Sequence, residues 1–406
     1  MATRVVSAEY VFTGSPAPGA AATWLRDGAI ALDGDHIVAI GPRAEVEGRF
    51  GRGEHQDAVL FPALVNAHTH LELSHLHRRI PGGKGLAPWI QFLVSARATE
   101  PHPGPALDDA ILSLGEAGVA AVGEVTNTLA SLPHLTRAGL AGTVFHEIFG
   151  FSDARIATAQ AQAQAFRERA PAPGAGLAIA PSPHAVYSTS PPVLAALLRA
   201  GPASIHLAED PAERRFCAEM TGPFSLLVRA LGATALAPLG RSAVACAAPH
   251  LGPRSLAVHC VDLDDEDLRD LARSGATIVL CPRSNLHIGG RTADLPRLLA
   301  AGIPLAVGTD SLASAPSLSP LAELAALARA FPQVSAARLL PLAWNGSAVG
   351  APTVGHLAAG AAPGVLAAPL AGARPDDPAA WLVSIFGAEE RPVAWIARHR
   401  PEPLAP

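Results

Sequence analysis

Two histidines at the end of an apolar segment are the strongest chemical signal in the chain. Residues 59–67 are mostly apolar and are followed by His68 and His70, two positions apart. In an extended strand, side chains at i and i+2 point to the same face, so both imidazoles can reach one metal ion. The chain contains 16 histidines, and the pair alone is a weak signal. Its meaning depends on what later strands supply.

Four later apolar segments each end in polar residues that the same centre would need. They supply His206 in 203–207 and Glu209 just after it, His259 in 256–260, Ser284 and Asn285 after 277–281, and Asp310 after 304–309. The intervals between the segments leave room for helices. This is the pattern of a parallel barrel, in which chemistry lies at the carboxyl-terminal ends of the strands.

The pattern predicts a (β/α)8 barrel of the TIM type with a small β-sandwich domain built from both chain ends. The predicted barrel strands are 61–67, 119–125, 143–149, 177–183, 203–207, 256–260, 277–281 and 304–309. After the barrel, we predict further β structure at 355–366 and 381–396. The predicted domains are 1–58 and 346–406 for the two parts of the β-sandwich and 59–345 for the barrel.

Length and composition exclude several classes of protein. At 406 residues, the chain can hold a barrel of about 250 residues and a smaller domain. It shows no apolar stretch of membrane-spanning length and no signal-peptide core, so a cytoplasmic location and no membrane partner are expected. The net charge of −5 argues against a nucleic-acid partner. We expect a small-molecule substrate, and a homodimer is compatible with this class of barrel.

Six ordered motifs resemble the amidohydrolase superfamily and, within it, the branch of cytosine, adenosine and S-adenosylhomocysteine deaminases. The resemblance covers essentially the whole chain, and its motifs lie at 62–70, 182–187, 206–210, 259–261, 281–285 and 308–311. The segments 66–72 and 308–319 look most like those of the aminodeoxyfutalosine deaminases.

The resemblance implies one divalent metal ion, with Zn²⁺ favoured and Fe²⁺ as the alternative. The implied ligands are His68, His70, His206 and Asp310. Binuclear members of the superfamily bridge two metals with a carboxylated lysine on the fourth strand. The only lysine in this chain, Lys84, follows the first strand, which excludes that arrangement.

The resemblance also implies three catalytic residues. Asp310 would take a proton from the attacking water, and His259 would stabilise the developing charge. Glu209 would protonate the ring nitrogen beside the carbon under attack. A non-catalytic relative would lack some metal ligands, and here all four are present.

The predicted reaction is deamination of an aminated purine ring, with a 5′-modified adenosine such as aminodeoxyfutalosine as the favoured substrate. The alternatives are S-adenosylhomocysteine, methylthioadenosine or adenosine, then cytosine or guanine, and ring opening of the imidazolonepropionase type. The predicted substrate contacts are His184, Glu72, Arg283, Ser284 and Asn285. Glu72 lies two residues after His70, and for it a supporting role beside the site is an equal alternative. Aminodeoxyfutalosine carries a benzoate, for which the candidate cations are Arg78, Arg215, Arg283 and Arg291.

Overall fold

The computed structural model describes residues 3–14, 19–100, 104–169, 172–230, 233, 237–388 and 392–401. The strands in these residues are β1 (Arg4–Gly14), β2 (Thr23–Asp33), β3 (His36–Pro42), β4 (Glu54–Pro62), β5 (Leu64–Thr69), β6 (Val119–Thr126), β7 (Ala141–Ile148), β8 (Leu177–Pro183), β9 (Ala203–Leu207), β10 (Ser255–His259), β11 (Thr277–Leu280), β12 (Leu305–Val307), β13 (Val365–Pro369) and β14 (Ala394–Ala397).

The α-helices in the same ranges are α1 (Arg43–Phe50), α2 (Leu86–Thr99), α3 (Ala106–Glu116), α4 (Leu132–Ala138), α5 (Asp153–Arg169), α6 (Pro191–Ala200), α7 (Pro211–Glu219), α8 (Pro223–Ala230), α9 (Ala243–Ala247), α10 (Asp265–Ser274), α11 (Pro282–Gly289), α12 (Leu295–Ala300), α13 (Pro320–Ala330), α14 (Ala336–Leu339) and α15 (Pro378–Ala388). None of the described helices has the length and apolar character needed to cross a membrane.

Strands β5 to β12 form the parallel barrel that the sequence predicts. They pair in chain order as two parallel sets, β5 to β8 and β9 to β12. Two bridges close the ring, one between Thr69 and Asp310 and one between Ala185 and His206. Backbone hydrogen bonds of 3.0 Å accompany both bridges, donated by the N–H groups of Asp310 and His206. Closure therefore brings the polar strand ends to a common rim.

The barrel strands are buried along most of their length. Every residue of β5, β6, β9, β10 and β11 is buried. Parallel strands covered on both faces read as continuous apolar segments, because neither face needs polar residues. This explains why the sequence predicted all eight strands to within three residues at each end.

Both chain ends contribute to one small β domain, as predicted. Its six strands form a sheet in the order β14-β13-β4-β1-β2-β3. Apolar side chains from all six strands belong to one buried cluster, so this sheet has a core of its own. Asp35, in the turn after β2, accepts a 3.1 Å hydrogen bond from the backbone of Arg398, just after β14. Strand β4 lies on both sides of the boundary predicted at 58/59, and the domain limits stay a prediction.

The prediction of β structure after the barrel is partly wrong. The segment 381–396 begins within helix α15, and its one strand among the residues that the structure describes is β14 (Ala394–Ala397). Asp377 accepts hydrogen bonds from the backbone N–H groups of Ala379 and Ala380, at 2.9 and 3.0 Å, which caps the helix start. Of the predicted segment 355–366, only its last two residues fall in β13.

Candidate active site

The implied metal ligands meet at the carboxyl-terminal rim of the barrel. His68 lies in β5 and His206 in β9, while His70 and Asp310 follow β5 and β12. The Nε2 atoms of His68 and His70 are 3.2 Å apart. Oδ1 of Asp310 lies 3.4 Å from Nε2 of His70 and 3.7 Å from Nε2 of His68. The ring centroid of His206 is 4.9 Å from that of His68.

These donors fit a divalent metal ion. Donor atoms of His68, His70 and Asp310 lie within 4.8 Å of one another, and so do donor atoms of His68, His206 and His259. Burial lowers the pKa of His68, and burial together with His68 lowers the pKa of His70 to about 3. Both imidazoles are therefore neutral near pH 7, which is the form that binds metals. Three imidazoles and one carboxylate are a donor set that suits Zn²⁺.

The two oxygens of the Asp310 carboxylate have different partners. Oδ1 faces the histidines, while Oδ2 accepts hydrogen bonds from the hydroxyls of Ser284 at 2.6 Å and Ser314 at 2.7 Å. Burial alone would raise the pKa of Asp310, but the nearby imidazoles of His68, His70 and His259 lower it well below the usual value. Asp310 has φ of +57°, an uncommon conformation for a residue with a side chain. The carboxylate is therefore ionised and fixed in orientation.

His259 is the last residue of β10, and both nitrogens of its ring have close neighbours. The side-chain amide of Asn285 donates to Nδ1 at 3.0 Å, which leaves the proton of neutral His259 on Nε2. That atom lies 3.5 Å from Oε2 of Glu209 and 3.1 Å from Nδ1 of His206. The φ of His259 is +74°, so the strand end is strained where it presents this side chain.

Glu209 is buried in the turn after β9. Burial raises its pKa well above the usual value, and the nearby carboxylates of Asp310 and Glu213 add to the effect. The carboxylate of Glu213 accepts hydrogen bonds from the backbone N–H groups of Ala208, Glu209 and Asp210, at 3.1, 2.7 and 3.2 Å. Glu213 therefore fixes the turn that positions Glu209. Sequence reasoning missed Glu213, although a glutamate in the first turn of α7 is a common capping signal.

The cluster lies at the inner end of an open cleft with a cavity volume of about 220 Å³. Glu209, His259, Asp310 and His184 line it together with many apolar side chains. A mostly apolar lining with a few polar groups is typical of small-molecule sites.

Glu147 also lines the cleft, and the sequence analysis did not single it out. It follows His146 near the end of β7, with Oε1 3.6 Å from Nε2 of His206. Oε2 accepts a 2.9 Å hydrogen bond from the side chain of Asn127. Burial would raise the pKa of Glu147, but the imidazoles of His184 and His206 lower it below its usual range. The signal was available, since Glu147 stands at the end of a predicted barrel strand.

The structure brings one of the five predicted substrate contacts into the cleft. The ring of His184 lies with its centroid 4.9 Å from that of His206, and its Nδ1 is 2.6 Å from the hydroxyl of Ser188. Burial lowers the pKa of His184 to about 4. Ser284 and Asn285 contact Asp310 and His259 instead of lining the cleft.

The structure places the other two predicted contacts, Glu72 and Arg283, elsewhere. Glu72 accepts hydrogen bonds from the loop after β6, including the backbone N–H groups of Asn127 at 3.2 Å and Ala130 at 3.1 Å. Arg283 pairs with the buried carboxylate of Glu323, at 2.6 Å. Both side chains hold the scaffold of the rim, and neither lines the cleft. Glu72 follows His70 by two residues, but β5 ends at Thr69, so strand alternation does not bring the two side chains to one face.

Comparison with known proteins agrees with this architecture. Residues 59–363 match the Amidohydrolase family. A 5-methylthioadenosine/S-adenosylhomocysteine deaminase of Nitratidesulfovibrio vulgaris (strain DSM 19637 / Miyazaki F) is 29% identical over 323 residues, which cover 75% of this chain and 69% of the relative. The aminodeoxyfutalosine deaminase of Deinococcus radiodurans is 28% identical over 339 residues, or 78% of each chain.

A solved structure shares the fold along nearly the whole chain. The aminofutalosine deaminase of Helicobacter pylori, in complex with methylthio-coformycin, superimposes with a TM-score of 0.80 at 22% identity and covers 96% of this chain and 97% of its own. Since the family match spans most of the chain, the predicted enzyme class, a metal-dependent amidohydrolase, is confirmed. The chain belongs to the amidohydrolase family.

Proposed function

We propose that this enzyme removes the 6-amino group from the adenine ring of a 5′-modified adenosine, such as aminodeoxyfutalosine. The observation that carries the proposal is the convergence of buried Glu209, His259 and Asp310 on the histidine cluster at the inner end of one cleft. Two relatives named as deaminases of 5′-modified adenosines support it.

His68, His70, His206 and Asp310 would hold the metal ion, with Zn²⁺ favoured by the donor set. A bound divalent metal supplies Lewis-acid chemistry, lowering the pKa of a water molecule to about 7. Donor atoms of His68, His70 and Asp310 all lie within 4.8 Å of one another, as do those of His68, His206 and His259.

The protein side chains supply the proton transfers. Asp310, held ionised, accepts a proton from the attacking water. Glu209, whose raised pKa keeps it protonated, donates to the ring nitrogen next to the attacked carbon and makes that carbon electrophilic. His259 presents its Nε2–H towards the developing charge. The proton held by Asp310 passes to the amino group, which leaves as ammonia. The hydroxyl proton of the adduct returns to Glu209, so both carboxyl groups are restored and one water is consumed for each ammonia released.

Substrate turnover tests the proposal directly. The zinc-loaded protein is incubated with aminodeoxyfutalosine, S-adenosylhomocysteine, methylthioadenosine, adenosine and guanine, and ammonia and the adenine-to-hypoxanthine absorbance change are followed. Deamination of one or more of the adenosine compounds is expected. Turnover of guanine alone, or ring opening of an imidazolone substrate without ammonia, would contradict the proposal.

A further inference from the structure

One side of helix α2 lines the cleft along most of its length. The cleft-lining residues of this helix recur at intervals of three and four: Leu86, Trp89, Ile90, Leu93, Val94 and Arg97. This spacing places them along one side of an α-helix. The first five are apolar, and the last is the only arginine that lines the cleft among the described residues. The face therefore changes from apolar to cationic at its far end.

The two ends of α2 are attached to opposite sides of the barrel mouth. At its start, the backbone N–H of Leu86 donates to Oδ2 of Asp210, the residue after Glu209, at 3.0 Å. Near its end, the guanidinium of Arg97 donates to Oδ1 of Asn127, in the loop after β6, at 3.2 Å. Arg97 follows Leu86 by eleven positions, which is about 16 Å along the axis of an α-helix. Arg97 thus lies beside the loop after β6, and the start of the helix lies beside the turn after β9 that carries Glu209.

Arg97 lacks a counter-ion in the described part of the chain. Its one hydrogen bond goes to the neutral amide of Asn127, and it forms no ion pair with a described carboxylate. A guanidinium has five N–H donors in a planar fork that matches a carboxylate. The same Asn127 amide donates to Glu147 at 2.9 Å, so Asn127 connects Arg97 to the carboxylate beside the metal ligands without an ion pair between them.

The arginines that the sequence suggested are all outside the cleft. Arg283 is committed to Glu323 at 2.6 Å, and Arg291 lies 3.6 Å from Asp262. Arg78 and Arg215 are exposed and do not line the cleft. Among the described residues, these positions leave Arg97 as the cation available to a ligand in the cleft.

We propose that Arg97 binds a carboxylate at the outer end of the substrate's 5′ substituent, while the apolar face of α2 covers the arm that carries it. The proposal rests on the proposed deamination and adds the substrate class: a nucleoside with an apolar 5′ arm that ends in a carboxylate. If Glu209 reaches the ring nitrogen at one end of the cleft, the ribose and its 5′ arm extend towards the other end, where Arg97 lies. Phe149 and Leu227 also line the cleft and add apolar surface for an aromatic arm.

The test compares an acid with its uncharged ester. The kcat/KM values for aminodeoxyfutalosine and for its methyl ester are measured with the wild-type enzyme, Arg97→Met, Arg97→Lys and Arg137→Met. Arg137 is an exposed arginine paired with Asp108 and does not line the cleft, so its variant controls for the loss of one positive charge. Metal content is measured for every variant.

The wild-type enzyme should prefer the acid over the ester by about 10- to 100-fold, as expected for a hydrogen-bonded charge pair. Arg97→Met should lose this preference while turning over the ester nearly as well as wild type, and Arg97→Lys should retain part of it. Arg137→Met should behave as wild type.

Three results would overturn the proposal. The first is a wild-type enzyme that does not distinguish acid from ester, and the second is an equal loss on both substrates in Arg97→Met. The third is an enzyme that deaminates methylthioadenosine and not aminodeoxyfutalosine, which contradicts the role of Arg97 and leaves the deamination proposal standing. An enzyme that deaminates no adenosine compound contradicts both.

Discussion

Replacing Ser284 by alanine should weaken metal binding, because its hydroxyl orients a proposed metal ligand. Ser284 donates to Oδ2 of Asp310 at 2.6 Å, and Ser314 donates to the same oxygen at 2.7 Å. A hydrogen bond to a charged group contributes about 1.5–3 kcal/mol, and each 1.4 kcal/mol corresponds to a factor of about ten. We expect Ser284→Ala to bind zinc about 10- to 100-fold more weakly.

The Ser314→Ala variant and the double variant sharpen this prediction. Because both hydroxyls serve one oxygen, either single variant leaves the other bond in place, and the double variant leaves Oδ2 with neither. The loss in the double variant should therefore exceed the sum of the two single losses in free energy. Zinc affinity is measured by competition with a chromophoric chelator, and kcat/KM is measured at saturating zinc.

Ser225→Ala is the matched control. The Ser225 hydroxyl donates to the backbone oxygen of Gly222 at 2.7 Å, near the start of α8 and outside the cleft. This variant should bind zinc as the wild type does. Wild-type zinc affinity in Ser284→Ala and in the double variant would refute the assigned role of Asp310.

Three further predictions concern the proton donor, the closure of the barrel and the turn after β9. Glu209→Gln should lower kcat by about 10²- to 10⁴-fold and keep its metal; a kcat within tenfold of wild type would assign the proton transfer to another group. Gly308→Ala should lower the free energy of unfolding by about 1–3 kcal/mol in chemical denaturation, because the added Cβ would lie 2.7 Å from atoms of His68. The control Gly48→Ala, in helix α1 with open space around it, should not destabilise the fold. Burial raises the pKa of Glu213 to about 7, so the folded state binds more protons than the unfolded state between about pH 4.5 and 7. The free energy of unfolding should therefore fall as pH rises through this window. Glu213→Gln should remove this part of the slope, up to about 1.4 kcal/mol per pH unit, and an unchanged slope would contradict the assignment.

The sequence predicted the barrel and the residues at its rim because both depend on a local pattern. A buried parallel strand is apolar along its length, so a polar residue at its end is conspicuous. His206, His259 and Asp310 were identified in this way, and the structure brings them together. The same rule applied to strand β7 would have identified Glu147.

The residues that the sequence did not reveal act through contacts that no local pattern encodes. Arg97 is one of many arginines, and its position in the cleft depends on where α2 crosses the barrel mouth. Ser284 and Asn285 were expected to contact the substrate, and they contact Asp310 and His259 instead. The side chain of Glu72 turned to the loop after β6, because the chain leaves the extended conformation after Thr69. Such orientations depend on tertiary packing.

A metal titration tests the central claim most directly. Metal-free protein is prepared with a chelator, zinc is returned in fractional equivalents, and ammonia release from aminodeoxyfutalosine or another accepted adenosine substrate is measured at each step. One ion held by His68, His70, His206 and Asp310 predicts no turnover without metal and a linear rise that ends at one equivalent per chain. Full turnover by the metal-free protein, or a rise that continues to two equivalents, would contradict a mononuclear metal-dependent deaminase.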